Sequence, residues 1–139
     1  WHGFMPELRK AKALFGVQRN LYSAAMRQTI YKICPESLWR QAEASGTFEG
    51  APVDLADGFI HFSTSAQAPE TARRHFAGQE GLLLVAVDAE RLGPALKYEP
   101  SRGGDLFPHL YAPLTMDAVL WVRPLPLGPD GHVFPEMDA

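Results

Sequence analysis

The sequence predicts an α+β domain with a mostly antiparallel sheet. Three observations lead there. Strand-like and helix-like segments are mixed along the chain without recurring strand–helix–strand units, the pattern that builds a parallel sheet. The longest apolar run, Leu82 to Val87, is continuous rather than alternating, which marks a strand covered on both faces. The 139 residues, 46% of them hydrophobic, suffice for one core, and no linker sets off a second domain.

Thr29 to Cys34 is rich in Ile and Tyr and alternates weakly, so it reads as a strand. Pro35 suits the first turn of a helix. Leu38, Trp39 and Ala42 give that helix a buried face, and Gly46 stops it. Thr47 to Ala56, with Gly50 and Pro52, reads as loop or a short turn. Phe59 to Phe62 is a short strand. Thr64 is a good N-cap for a second main helix running through Phe76, with Gly78 as terminator. After the buried strand, Leu96 to Glu99 is a short strand and Ser101 to Asp105 a loop. Leu110 to Ala112 and Ala118 to Val122 complete the strands. From Pro124 onward the density of Pro and Gly predicts an extended or mobile tail.

Residues 1–25 read as an N-terminal extension, 26–125 as the single α+β domain and 126–139 as a Pro/Gly-rich tail. The extension carries Arg9, Lys10, Lys12 and Arg19 against Glu7, a basic leader before an acidic body. Leu8, Ala11, Leu14, Phe15 and Leu21 have rough helical spacing. The extension is read as helical or as non-native, because Met26-Arg27-Gln28 looks like a natural start. A basic amphipathic helix can also bind a membrane surface, although docking on its own domain is the commoner outcome.

The net charge of −3 lacks the basic signature of a nucleic-acid binder, so no DNA partner is expected. No apolar run approaches the roughly 20 residues of a membrane span, so no membrane partner is expected either. Cys34, the single cysteine, cannot form an internal disulfide and sits in an apolar strand. A buried thiol fits a reducing, cytoplasmic compartment.

Two stretches carry the candidate chemistry, Asp57-Gly58-Phe59-Ile60-His61-Phe62-Ser63-Thr64 and Tyr98-Glu99-Pro100-Ser101-Arg102-Gly103-Gly104-Asp105-Leu106-Phe107-Pro108-His109-Leu110-Tyr111. His61 and Ser63 share one face of their strand, opposite Ile60 and Phe62. With Thr64 at a helix N-terminus they would form a polar floor able to hold an anion; the plainer alternative is a core histidine and an ordinary capped turn. Ser101, Arg102, Gly103 and Gly104 can cradle a phosphate, through close backbone approach and a forked donor. They equally suit a surface loop in which Arg102 pairs with Glu99 or Asp105. Tyr98, Phe107 and Tyr111 can stack a planar ring beside His109, or simply form an aromatic cluster. Glu99 and Asp105 are a candidate carboxylate pair. A metal site of His61, His109 and Asp105 lacks any close ligand pair, so no metal is expected. A serine hydrolase lacks Gly-x-Ser-x-Gly.

The chain resembles the small bacterial domain of unknown function family 952. The resemblance rests on Ile30-Tyr31-Lys32-Ile33, on Asp57 through Thr64, and on Glu99 with Ser101-Arg102-Gly103-Gly104 and Phe107-Pro108-His109-Leu110-Tyr111, over about residues 27–123. It implies an ADP-ribosyltransferase-like fold, a split antiparallel sheet around a cleft for NAD. In the His-Tyr-Glu branch of that superfamily a strand histidine holds the ribose, a tyrosine stacks on nicotinamide, and a late-strand glutamate stabilises the transition state. His61 with Ser63 or Thr64 matches the first motif. Tyr98, Phe107 and Tyr111 compete for the second. The last strand holds no glutamate, which leaves Glu99 or the tail's Glu136.

The resemblance thus implies NAD or a related nucleotide as ligand, with His61, His109 and Glu99 as catalytic candidates. Ser63, Thr64, Tyr98, Ser101, Arg102, Gly103, Gly104, Phe107 and Tyr111 would bind it. The enzyme expected is an ADP-ribosyl transferase or NAD-cleaving activity, with a macromolecular acceptor left open. The alternative is a non-enzymatic module that binds a ligand or peptide in the same cleft.

Overall fold

A computed structural model describes residues 28–138. Its first half runs β1 (Thr29–Pro35), α1 (Glu36–Ser45), β2 (Thr47–Phe48), α2 (Pro52–Asp57), β3 (Ile60–His61), β4 (Ser63–Thr64) and α3 (Ala68–His75). The second half runs β5 (Leu82–Asp88), β6 (Leu96–Pro100), β7 (Leu106–Leu110), β8 (Leu114–Thr115), β9 (Val119–Leu125), β10 (Leu127–Gly128) and β11 (Gly131–His132). The fold is α+β, and every strand pairing described is antiparallel.

The main sheet has the order β4-β1-β5-β9. β5 is its most buried strand, with all seven residues covered, as its unbroken apolar run predicts. Alternation sends Ile30, Cys34, Val85 and Val87 to one face. There they pack against Trp39 of α1, Phe48, Ile60, Phe62 and Leu110. Tyr31, Ile33, Leu84 and Ala86 go to the other face, against Ala72 of α3, Phe76 and Leu125. A second sheet, β3-β7-β6, lies on the first face, with Ile60 opposite Leu110 and His61 opposite His109.

The chain changes sheets between β3 and β4. Phe62 makes the step: its N–H donates to Pro108 O of β7 at 3.0 Å, and its side chain is buried. β4 covers only Ile30 and Tyr31 of β1. From Lys32 onward no described strand lies on that edge, and a cleft opens between the sheets.

Several local expectations are corrected. The segment predicted as loop contains β2 and the helical α2. Pro52 is pre-set for a first turn, and the Asp54 carboxylate reaches back to accept the Ala51 N–H at 2.7 Å. Gly58 ends α2 at φ 89°, a conformation that favours glycine. The next helix starts at Ala68 rather than Thr64. Thr64 instead pairs with Ile30, and its hydroxyl accepts from Gln67 N at 3.3 Å. The strand expected at Leu110 to Ala112 is Leu106–Leu110. Pro108 belongs within it because its carbonyl, not a missing N–H, serves the pairing.

The tail folds back. β10 and β11 form a hairpin, Phe134 and Met137 pack on the second core face, and Tyr31 Oη donates to Asp138 O at 2.7 Å. Apolar residues among the prolines give this stretch surface to bury. The extension over residues 1–25 lies outside the described residues.

Candidate functional site

The cleft encloses about 500 Å³. Lys32, Asp57, His61, Ser63, Thr71, His75, Ser101 and His109 supply its polar lining, with Tyr31, Phe62 and Phe107 among its apolar walls. Strand alternation explains the selection. Ile60 and Phe62 turn into the core, so His61 and Ser63 face the cleft. Ser63 Oγ also meets Thr71 Oγ1 of α3 at 2.9 Å.

A buried ionic chain anchors His61. Lys32 extends from β1 with its side chain only 6% exposed, and its Nζ lies 3.0 and 2.9 Å from the two oxygens of Asp54, itself 1% exposed. Asp54 Oδ1 also accepts from His61 N at 3.0 Å and lies 2.7 Å from His61 Nδ1. Burial alone would raise the Asp54 carboxyl. The His61 hydrogen bond, the Lys32 charge and the Ala51 N–H outweigh it and bring the group down to about 2. Burial pulls the Lys32 ammonium below its ordinary value, against the attraction of Asp54. On the other side of the ring, His61 Nε2 lies 2.9 Å from Oδ2 of Asp57, whose side chain is half exposed.

His109 has a parallel arrangement. Its Nδ1 lies 2.7 Å from Glu99 Oε1, which also accepts the Tyr111 hydroxyl at 2.7 Å. The His109 bond, then the Tyr111 bond, hold the Glu99 carboxyl below its ordinary value. The two imidazoles meet edge to face, their centres 5.6 Å apart. Phe59 stacks on His109 at 4.1 Å and also touches His61 at 4.6 Å and Tyr111 at 5.2 Å. Two histidines from distant stretches, each with a carboxylate on Nδ1, therefore face one cleft. Such an arrangement can orient, donate and accept protons.

The predicted site residues divide accordingly. His61, Ser63, Ser101, Phe107 and His109 line the cleft. Glu99 and Tyr111 act on it through His109 and Phe59. Tyr98 alternates away from Glu99, and its hydroxyl bonds Gln28. Thr64 gives its N–H to Gln67 Oε1 at 3.0 Å. Gly103 and Gly104 form an exposed turn at φ 70° and 87°, and the Arg102 side chain lies outside the described residues. Among the described residues, Glu99 is bonded by His109 and Tyr111.

Sequence reasoning missed Lys32 and Asp54. A lysine amid Ile30-Tyr31 and Ile33 was a usable signal, since a buried cation demands a partner. Thr71, His75 and the stacking role of Phe59 gave no distinctive signal. Among the described residues, no group of three His, Cys, Asp or Glu side chains is placed to hold a metal ion. No described helix is long and apolar enough to cross a membrane.

No curated protein matches the chain. Solved structures do. The crystal structure of protein CC0527 from Caulobacter crescentus is 54% identical, covers 75% of this chain and 91% of its own, and superposes with a TM-score of 0.72. A double mutant of that protein matches at 52% identity with the same TM-score, and its solution structure at 54% identity and a TM-score of 0.68. Residues 33–122, which hold both histidine couples and the whole Lys32 partner network except Lys32 itself, match the family described as Protein of unknown function (DUF952). The chain therefore belongs to the DUF952 family.

Proposed function

We propose that the cleft binds a nucleotide of the NAD type on an ADP-ribosyltransferase-like scaffold, with transfer or hydrolysis at the nicotinamide–ribose bond as its chemistry. One observation carries this reading. His61 and Ser63 from one stretch, and Ser101, Phe107 and His109 from another, converge on one cavity of about 500 Å³. That volume lies in the range of small-molecule sites. In this reading His61 and Ser63 meet the ribose, Phe107 lies against a ring, and Ser101 beside its glycine turn receives phosphate. β9 holds no glutamate, so Glu99, held by His109 and Tyr111, is assigned the carboxylate role. The protein would act in the cytoplasm on a macromolecular acceptor or on water.

Calorimetric titration with NAD, ADP-ribose and 2′-phosphorylated RNA ends tests the proposal. Heat that saturates with at least one of them is expected. No heat for any at millimolar ligand sinks it.

A second reading is a binding module without turnover. It is favoured by the state of the carboxylates, because Asp54 and Glu99 already serve internal hydrogen bonds. Under it, His61→Ala and His109→Ala abolish ligand binding while no NAD cleavage is detectable in the parent.

A further inference from the structure

We propose that His109 and His61 form a general base–general acid pair that hydrolyses a nucleoside 2′,3′-cyclic phosphate in this cleft. The two rings come from paired positions of β3 and β7, line one cavity and lie 5.6 Å apart. Their carboxylate partners differ, and the difference assigns the roles. Among the described residues His109 has one carboxylate partner, Glu99, at Nδ1. With Nδ1–H donated there, Nε2 keeps a lone pair and is the base. His61 has carboxylate oxygens at both nitrogens, Asp54 at Nδ1 and Asp57 at Nε2. Both nitrogens can donate at once only as the imidazolium, which is the acid. Lys32 faces the pair through Asp54, Tyr111 through Glu99, and His75 from α3 across the cleft.

Hydrolysis of the cyclic ester needs both groups. The water oxygen attacks phosphorus while His109 Nε2 takes its proton. The bond from phosphorus to one ribose oxygen breaks in line with the attack. That oxygen leaves as an alkoxide, a poor leaving group, and His61 Nε2 gives it a proton. The product is the nucleoside monophosphate, and exchange with solvent restores both rings. Nicotinamide, by contrast, leaves NAD as a neutral base and needs no acid. The paired imidazoles therefore give this cleft a use for an acid and a base that the N-glycoside reading leaves open.

Asp54 and Glu99 are committed to internal partners and do not serve as nucleophile; the step uses water. For the acid to act, Asp57 must release His61 Nε2. It is the last residue of α2, its side chain is 48% exposed, and Gly58 follows it. A bound phosphoester can displace it at the cleft mouth without unfolding the helix. The step uses the same cleft as the nucleotide reading but not its affinity for NAD.

The test incubates the purified chain with the four nucleoside 2′,3′-cyclic monophosphates and follows monoester formation by phosphorus NMR. Turnover with a bell-shaped pH–rate profile is expected. His109→Gln and His61→Gln should each lower the rate roughly 100-fold or more, each removing one limb of the profile. No hydrolysis by the folded parent overturns the inference, as does equal hydrolysis by parent and both variants. Where a variant fails to fold, the parent's result decides. Heat with NAD but no cyclic-phosphate hydrolysis sinks this inference and leaves the nucleotide reading standing. Hydrolysis without NAD heat does the reverse.

Discussion

Lys32→Met isolates the buried ion pair beneath the site. The substitution keeps the length and much of the stem of the side chain, so its main effect is to remove the ammonium that meets both Asp54 oxygens. Breaking a buried pair from one side typically costs about 3–5 kcal/mol, because the remaining charge is left uncompensated. Asp54 keeps three donors, Ala51 N, His61 N and His61 Nδ1, which places the expected loss near the lower end, about 3 kcal/mol. With a urea m-value of about 1.5 kcal/mol/M, the unfolding midpoint should fall by about 2 M at pH 7, with m unchanged. The double variant Lys32→Met with Asp54→Asn should lose less than the sum of the single changes, by at least about 1 kcal/mol, since no charge is then stranded. A Lys32→Met loss below about 1 kcal/mol, or strict additivity, would refute the reasoning. Either result would mean that water reaches Asp54.

Three further outcomes are expected. Asp54 lies at about 2 in the fold, below its usual value in the unfolded chain, so its stabilisation is fully present above about pH 4 and disappears as pH falls toward 2. It amounts to about 2–3 kcal/mol, and urea titrations between pH 2 and 5 should show a shallower acid slope for Asp54→Asn than for the parent. Tyr111→Phe removes one of the two hydrogen bonds that depress Glu99, so the Glu99 carboxyl should titrate at higher pH by carbon NMR; an unmoved curve would show that His109 alone sets it. Burial raises the Cys34 thiol to about 11, so a disulfide reagent at pH 8 should label it only after unfolding, and rapid native labelling would contradict the packing of β1.

What could be read from the chain was governed by range. The strands at Thr29 and Leu82, the helix stopped by Gly46 and the alternation around His61 are local patterns, and the fold reproduces them. The convergence of the two histidine stretches was legible too, because both are dense in groups a core does not need. What failed was partner identity. Lys32 stands out as a charge in an apolar strand, yet its partner Asp54 is 22 residues away in a segment that reads as loop. Tyr98 and Glu99 are equal candidates by composition, and only pairing with β7 decides which faces His109. Thr64 reads as a cap because its hydroxyl does accept from Gln67, but β-pairing with Ile30 takes its backbone first.

The cleft follows from the change of sheets at Phe62. If β3 and β4 were one continuous strand, β1 would be covered past Tyr31 and no opening would reach Lys32. Phe62 prevents that by bonding Pro108 in the second sheet while burying its ring in the shared core. The same step fixes which residues face the opening. Side chains alternate with period two, so a slip of one residue would bury His61 and Ser63 and turn Ile60 and Phe62 outward. Burying an imidazole among Trp39, Phe48 and Leu114 would strand its nitrogens, while Asp54 would lose two of its donors. Core packing and the ionic chain therefore select the same register. The fold that opens the cleft is also the one that places both imidazoles in it.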